Sequence, residues 1–278
     1  MKSAWKVIRE QCKSLYLIRR LSLYELKSEN TNNYLGMAWV VINPLIQIFI
    51  YWLVFGKILG RSNDIPVDNG VPAPYIIWLI SGIIVWFLIQ PAIIQGSKSI
   101  YSRIRFIAKM NFPMSAIPSY VILEKFYQHL MITGIVIVIL QFTQFKISIY
   151  MIQLPYFMFA ALAFLFSVSL ITSTFSTIVR DVHQVLISLM RMMFYLTPFL
   201  WEPARLADAG LPDFFQKILL LNPMYYLVQG YRSTLLGASW YGIDHIGYTA
   251  YFWGFVLVAL IFGSFVHLKF RDHFVDYL

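Results

Sequence analysis

Cysteine is nearly absent: Cys12 stands alone, which excludes an internal disulfide and any cysteine-bound metal cluster. Charge is scarce as well. Only 13% of the 278 residues are charged against 59% hydrophobic, with a mean hydropathy of +0.66, and this balance excludes a water-soluble globule. Catalytic signatures are missing. The five histidines (His129, His183, His245, His267 and His273) form no HExxH pair, and neither GxSxG nor GxxxxGK(S/T) occurs; Gly96-Ser97-Lys98 is only a fragment of a phosphate loop. The chain therefore carries no nucleotide site, metal site or cofactor of its own, and any active transport must draw on a gradient or a partner. The first 34 residues hold no continuous apolar core, so they are not a secretory signal peptide.

What the sequence does have is long apolar runs. From Leu35 to Phe55 no side chain is charged, and at about 1.5 Å per residue that run crosses a hydrocarbon core of about 30 Å. Further runs of spanning length cover 74–94, 117–142, 152–177, 185–201 and 246–268. The pattern predicts an all-α integral membrane protein with six transmembrane helices over residues 35–278. Between the fifth and sixth runs the chain is broken by Pro203, Gly210, Pro212, Pro223 and Gly237. Two short helices are expected there, over 212–236, with Asn222 capping the second, Pro223 in its first turn and Gly237 just past its end. They form a helical hairpin dipping into the membrane.

Residues 1–34 contain seven Lys or Arg. Trp5, Ile8, Cys12 and Leu15 share one helical face while Lys6, Arg9 and Lys13 lie round the other, the pattern of a helix in the headgroup region. Lys and Arg also set the orientation. With both termini cytoplasmic the inner segments hold fourteen and the outer ones six, so the N-terminus is placed inside and the hairpin outside. The formal charge of +9 follows from this asymmetry and calls for no nucleic acid.

Two stripes are polar and aromatic. Trp39, Asn43, Gln47, Tyr51 and Phe55 recur every four residues, and Pro44 adds a kink; Gln184, Ser188, Arg191, Tyr195 and Phe199 follow a spacing of three to four. Buried amides in hydrocarbon need partners, so these faces either glue helices together or line a conduit whose aromatics suit sugar rings and whose Arg suits phosphate. Glu124 and Arg191 sit at matched depth, roughly 10 Å from the cytoplasmic helix ends, and are expected to pair as a brace or a latch, with Lys125 snorkelling to the headgroups. The hydroxyls of Ser167, Ser169, Thr172, Ser173, Thr174, Ser176 and Thr177 suit close helix packing. Within the basic loop 95–113, Ile100, Ile104 and Ile107 mark a short amphipathic helix that either grips a partner or rests on lipid.

Several segments carry a family likeness: EQCKSLYLIRRLSLYELKS, NYLGMAWVVINPLIQIFIYWLVFG, FPMSAIPSYVILEKF, FYLTPFLW and LLLNPMYYLVQGYRSTLLG, in order over nearly the whole chain. The sequence resembles the membrane subunits of ABC-2 type polysaccharide exporters, most closely the wall teichoic acid permeases of Gram-positive bacteria. That resemblance implies a homodimer in the plasma membrane with two copies of an ATPase that binds ATP and Mg, moving a lipid-linked anionic polymer outward. It implies a gate helix near Trp5, Arg9 and Lys13, and coupling to the ATPase through Ser99, Tyr101, Arg103, Arg105, Phe106, Lys109 and Asn111. The conduit would be lined by Trp39, Asn43, Gln47, Tyr51, Ser188, Tyr195 and Phe199. Relatives exporting O-antigen or capsule use similar scaffolds. Two rival classes remain: a gradient-driven secondary transporter, with Glu124 and His129 as its candidate ion site, and a membrane glycosyl- or acyltransferase, which needs a catalytic carboxylate or His cluster at one membrane face that the sequence does not offer.

Overall fold

The computed structural model describes residues 2–29, 31, 33–59, 64–103, 113–203, 210, 213–271 and 274. Among the described residues the regular elements are helices, and Ile65 and Ala73 form an isolated antiparallel bridge. In chain order these are α1 (Lys2–Ser28), α2 (Trp39–Tyr51), α3 (Tyr75–Ile83), α4 (Trp86–Lys98), α5 (Ala116–Gln141), α6 (Leu154–Ile178), α7 (Asp181–Leu196), α8 (Asp213–Leu221), α9 (Pro223–Leu235), α10 (Tyr241–Asp244) and α11 (Ile246–Phe270). A 3-10 turn, Gly36–Ala38, leads into α2, and the wider π-helical turns of Trp52–Ile58 continue it.

Among the described residues five stretches are long and apolar enough to cross a bilayer: Gly36–Ile58, Tyr75–Lys98, Ala116–Gln141, Ile149–Ile178 and Ile246–Phe270. They coincide with five of the six runs expected from the sequence. The run 185–201 behaves differently. Here α7 has 16 residues, about 24 Å of helix, and stops at Leu196. Pro198 gives the reason, because its ring disfavours helical geometry in the preceding residue, and Thr197 is extended with φ −83° and ψ 131°.

The α3–α4 span is the centre of the bundle. In its most apolar window 78% of the residues are buried against the rest of the chain, compared with 11% for the span containing α2. Helix α4 packs on α5, α6 and α7, while α6 makes its most extensive contact with α11. The hydroxyls of α6 serve this last contact. Ser167, Thr174 and Thr177 donate to the carbonyls of Ala163, Leu170 and Ser173 in their own helix and are satisfied without bulk, whereas the buried hydroxyls of Ser169, Thr172, Ser173 and Ser176 have no hydrogen-bond partner among the described residues. Thr174 Oγ1 also meets His267 Nδ1 of α11 at 3.1 Å.

Helix α9 starts as expected: the Asn222 side chain accepts from the Met224 N–H at 3.0 Å, and Pro223 occupies the first turn. Gly237, with φ +65°, closes the end where a side chain would be strained. The start of the expected hairpin, at Pro212, lies outside the described residues.

Gly263 sets the approach of α11 to α6, because a Cβ there would stand 2.9 Å from Ile171 Cγ1 and 3.2 Å from the Ser167 carbonyl. Gly263→Leu should therefore push the two helices apart at a cost of about 1–3 kcal/mol. Thermal unfolding of the purified chain should show a clearly lowered midpoint, whereas Gly254→Leu on an open part of the same helix should leave it near the parent value.

Candidate functional site

Helix α1 presents three faces. Ala4, Val7, Ile18, Ser22 and Leu26 are buried against the bundle, chiefly α5 and the end of α11. Trp5 (70% exposed), Leu15 and Tyr16 form an outward apolar stripe, beside which Lys6, Arg9, Lys13 and Arg20 point into the surroundings. The acids are on the inner side. Glu10 accepts from Arg271 at 2.9 Å and from the Ser115 hydroxyl at 2.6 Å, Glu25 pairs with Arg103, and Glu29 pairs with Lys125 at 2.9 Å. Three carboxylates, two on α1 and one just past its end, thus hold cations from the end of α11, from the segment after α4, and from α5.

Lys125 also reaches Glu124 at 3.0 Å, and both side chains are almost fully buried. Gln128 donates to both Glu29 and Glu124. The expected partnership of Glu124 with Arg191 is therefore corrected: Arg191 is exposed on α7, and Glu124 is satisfied within its own helix and by its neighbour. Matched depth does not set the direction in which two side chains point. Lys125 does not snorkel either, because two carboxylates hold it. Half-burial pushes Glu29 upward, yet the Lys125 charge and the hydrogen bonds from Lys125 and Gln128 outweigh it and hold the carboxyl below its usual range.

The segment after α4 is fastened from several sides. Ser99 is fully buried and donates to the Gly96 carbonyl, closing the end of α4, so it offers no side chain to a partner. Tyr101 stands edge-on to His183 at 6.3 Å between ring centres, and Arg103 lies over the Tyr120 ring. His183 Nδ1 shares a hydrogen bond of 2.8 Å with Ser97; partial burial, reinforced by the Lys98 charge, lowers its pKa and favours the neutral ring. Arg105, Phe106, Lys109 and Asn111 lie outside the described residues.

The two polar stripes lie on exposed faces. Asn43 and Gln47 of α2 are exposed, with Trp39 and Tyr51 half-buried, and on α7 Ser188, Arg191 and Tyr195 are exposed. The stripes meet where Tyr51 packs on Phe194 at 5.4 Å, next to Tyr195. Phe199 departs from its expected stripe. Beyond Pro198 the helical register is lost, and its ring is fully buried against Trp86 and Phe194. His129 is buried as well and bonds the Tyr231 hydroxyl at 2.8 Å.

Residues 16–236 match the family described as ABC-2 type transporter, well over half of the chain. The chain belongs to that family. This ABC-2 chain is also similar to two proteins from Klebsiella pneumoniae named O-antigen export system permease protein RfbA. One is 27% identical over 248 residues, covering 89% of this chain and 90% of the relative, and the other is 25% identical over 250 residues with the same coverage. A Myxococcus xanthus protein of that name is 22% identical over 229 residues, 82% of this chain and 83% of its own length. Family membership, with several bilayer-length helices, makes this a multi-pass membrane protein and implies an ABC ATPase as its partner.

The inner acids of α1 were not singled out from the sequence, although Glu25 and Glu29 stand one turn apart on the face of Ser22 and Ile18. Two outcomes are expected of this ABC-2 chain. Lys125→Met leaves Glu124 as a buried charge without its cation and should cost about 3–5 kcal/mol, whereas the pair Glu124→Gln with Lys125→Met should cost less, measured by thermal unfolding of the purified chain. Because the folded pKa of Glu29 is depressed, its stabilising contribution is complete above the unfolded value and is lost as pH falls through the folded one. Amide exchange in the last turns of α1 should be flat between about pH 8 and 6, after correction for intrinsic rate, and rise below the usual carboxylate range, a step that Glu29→Gln removes.

Proposed function

We propose that the chain is the membrane-spanning permease of an ATP-driven exporter that moves a lipid-linked polysaccharide outward. Likeness over nearly the full length to proteins named as O-antigen export permeases is the observation that carries this reading. Three features of the chain support it. No nucleotide motif is present in the sequence, so the energy comes from the partner. The amides of α2 are exposed on a helix that the rest of the chain hardly covers, and exposed amides in hydrocarbon favour a second copy or an aqueous path. The acid clamps of α1 tie it to the segment following α4, so that movement of one is felt by the other.

In this mechanism two copies face each other through α2 and α7, with α7 and the residues up to Leu200 completing a sixth crossing. Asn43, Gln47, Tyr51, Ser188 and Tyr195 line the path, both termini are cytoplasmic, and the α8–α9 hairpin is external. Two ATPase copies, with their ATP and Mg, dock at the loop 98–111. Arg191, exposed between Ser188 and Tyr195, meets anionic groups of the polymer or of its lipid diphosphate. That cation in the stripe favours a second, narrower reading in which the polymer is an anionic wall teichoic acid of a Gram-positive cell.

Affinity selection of the co-expressed chain should bring down a soluble ATPase in equal amount on a dimer, and Arg105→Glu with Lys109→Glu should reduce its recovery about tenfold or more. A clean oligomer without ATPase after mild extraction would shift the assignment to a gradient-driven carrier. Depletion of the chain in its host, followed by chemical typing of the polymer retained inside, separates a neutral polysaccharide from a poly(polyol phosphate).

A further inference from the structure

At the end of the bundle opposite α1, a cavity of about 910 Å³ opens between the loop 65–68, α3, α9 and the start of α11. The volume is that of a small-ligand site. Its wall is aromatic: Tyr225, Tyr248 and Tyr251 line it, with the last two rings nearly parallel at 11° and 5.9 Å apart and Tyr225 6.0 Å from Tyr248. These rings are fixed. The Tyr248 and Tyr251 hydroxyls donate to the carbonyls of Asn222 (2.9 Å) and Leu221 (2.6 Å) at the turn before α9, so their faces do not have to be ordered when something binds.

Deeper in, Arg232 lines the cavity while only 4% exposed. Its guanidinium lies 3.5 Å from the centre of the Trp78 ring and donates to the Phe199 carbonyl at 3.1 Å, yet Nε and Nη1 have no acceptor among the described residues. Gly82, one turn after Trp78, makes room for it: a Cβ there would stand 2.5 Å from Nε. Among the described residues the lining also holds the carboxylates of Asp68, Glu202 and Asp244 and the His245 ring, with the Gln229 amide between rings and floor.

We propose that this cavity binds a neutral glycosyl unit, one or two sugar rings long. Rigid aromatic faces take the C–H faces of a pyranose, while carboxylates and an amide accept and donate to its hydroxyls. Among the described residues the three carboxylates outnumber the single Arg232 guanidinium, and this balance disfavours a phosphate-bearing ligand, since like charges repel across a cavity lined by low-dielectric walls. Tyrosines at a bilayer interface also serve as lipid-facing anchors. Here they converge on a concave space lined by carboxylates rather than spreading over a lipid-facing surface. The proposal rests on the exporter reading only for the origin of the ligand, a sugar of the passing polymer; the binding chemistry stands on the cavity.

The test uses the full-length chain in a detergent without a sugar headgroup. Neutral trisaccharides of glucose, galactose, mannose and N-acetylglucosamine, and a glycerol phosphate trimer, are titrated while Trp fluorescence and saturation-transfer NMR are followed. At least one neutral trisaccharide should saturate and the glycerol phosphate trimer should not. Tyr251→Ala should weaken binding about tenfold, Gln229→Ala and Asp244→Asn should weaken it less, and Phe262→Ala, on an exposed part of α11 outside the cavity lining, should leave it unchanged. Thermal unfolding confirms that each variant is folded, and the two polar variants carry the test if Tyr251→Ala is not. Three results would overturn the proposal: no neutral trisaccharide saturating the folded chain up to its solubility limit, glycerol phosphate binding as well as the sugars, or cavity variants altering stability in bilayers while sugar affinity stays the same. Failure of the exporter reading looks different, namely no ATPase recovered while sugar binding persists.

Discussion

A charge buried within a bilayer-length helix survives only if another charge neutralises it there, and Lys125 meets that condition twice, through Glu124 beside it and Glu29 from α1. The consequence reaches beyond α5. Because one of the two carboxylates belongs to α1, the N-terminal helix is part of the electrostatic balance of the bundle rather than an appendage laid on it. Glu25 with Arg103 and Glu10 with Arg271 extend the same arrangement along α1, so that the segment after α4, the start of α5 and the end of α11 are held by one element. A small apolar cluster that includes Ile18, Ile100, Ile117 and Phe274 fills the space between them.

The outer side of α1 obeys the opposite rule. Trp5, Tyr16, Arg9 and Lys13 have no bundle to satisfy, and their mixture of rings and cations suits the zone where acyl chains give way to headgroups. One helix therefore has two unlike sides: carboxylates toward protein cations, and cations toward the surroundings. Among the described residues Glu10, Glu25 and Glu29 pair within the protein, while no ion pair holds a base of α1.

Much of the fold was legible in the sequence because hydrocarbon thickness imposes a length that apolar runs cannot hide. Five runs gave helices in place, and Asn222, Pro223 and Gly237 marked the bounds of α9 through local chemistry alone. What escaped was azimuth. Glu124 and Arg191 share a depth, but depth leaves rotation about each helix axis undetermined, and Lys125 was overlooked as a partner because adjacent helical residues point apart; its long stem closes the gap. Phe199 falls in the second stripe by spacing, but the helix that carries the stripe stops three residues earlier, at Leu196. The saccharide-sized cavity was out of reach of local reading altogether, since its lining comes from stretches as far apart as Asp68 and Tyr251.

Helix α7 is pinned at both ends. Near its start His183 is bonded to Ser97 at the end of α4, and just beyond its finish the Asn222 amide donates to the Thr197 hydroxyl at 2.8 Å, where the hairpin turns into α9. A rigid strut fastened this way has a fixed length and no slack. A shift of α7 along its axis would therefore stretch the bond to Ser97 at the end of α4 or the bond from Asn222 at the start of α9, so both ends of the helix register the same displacement.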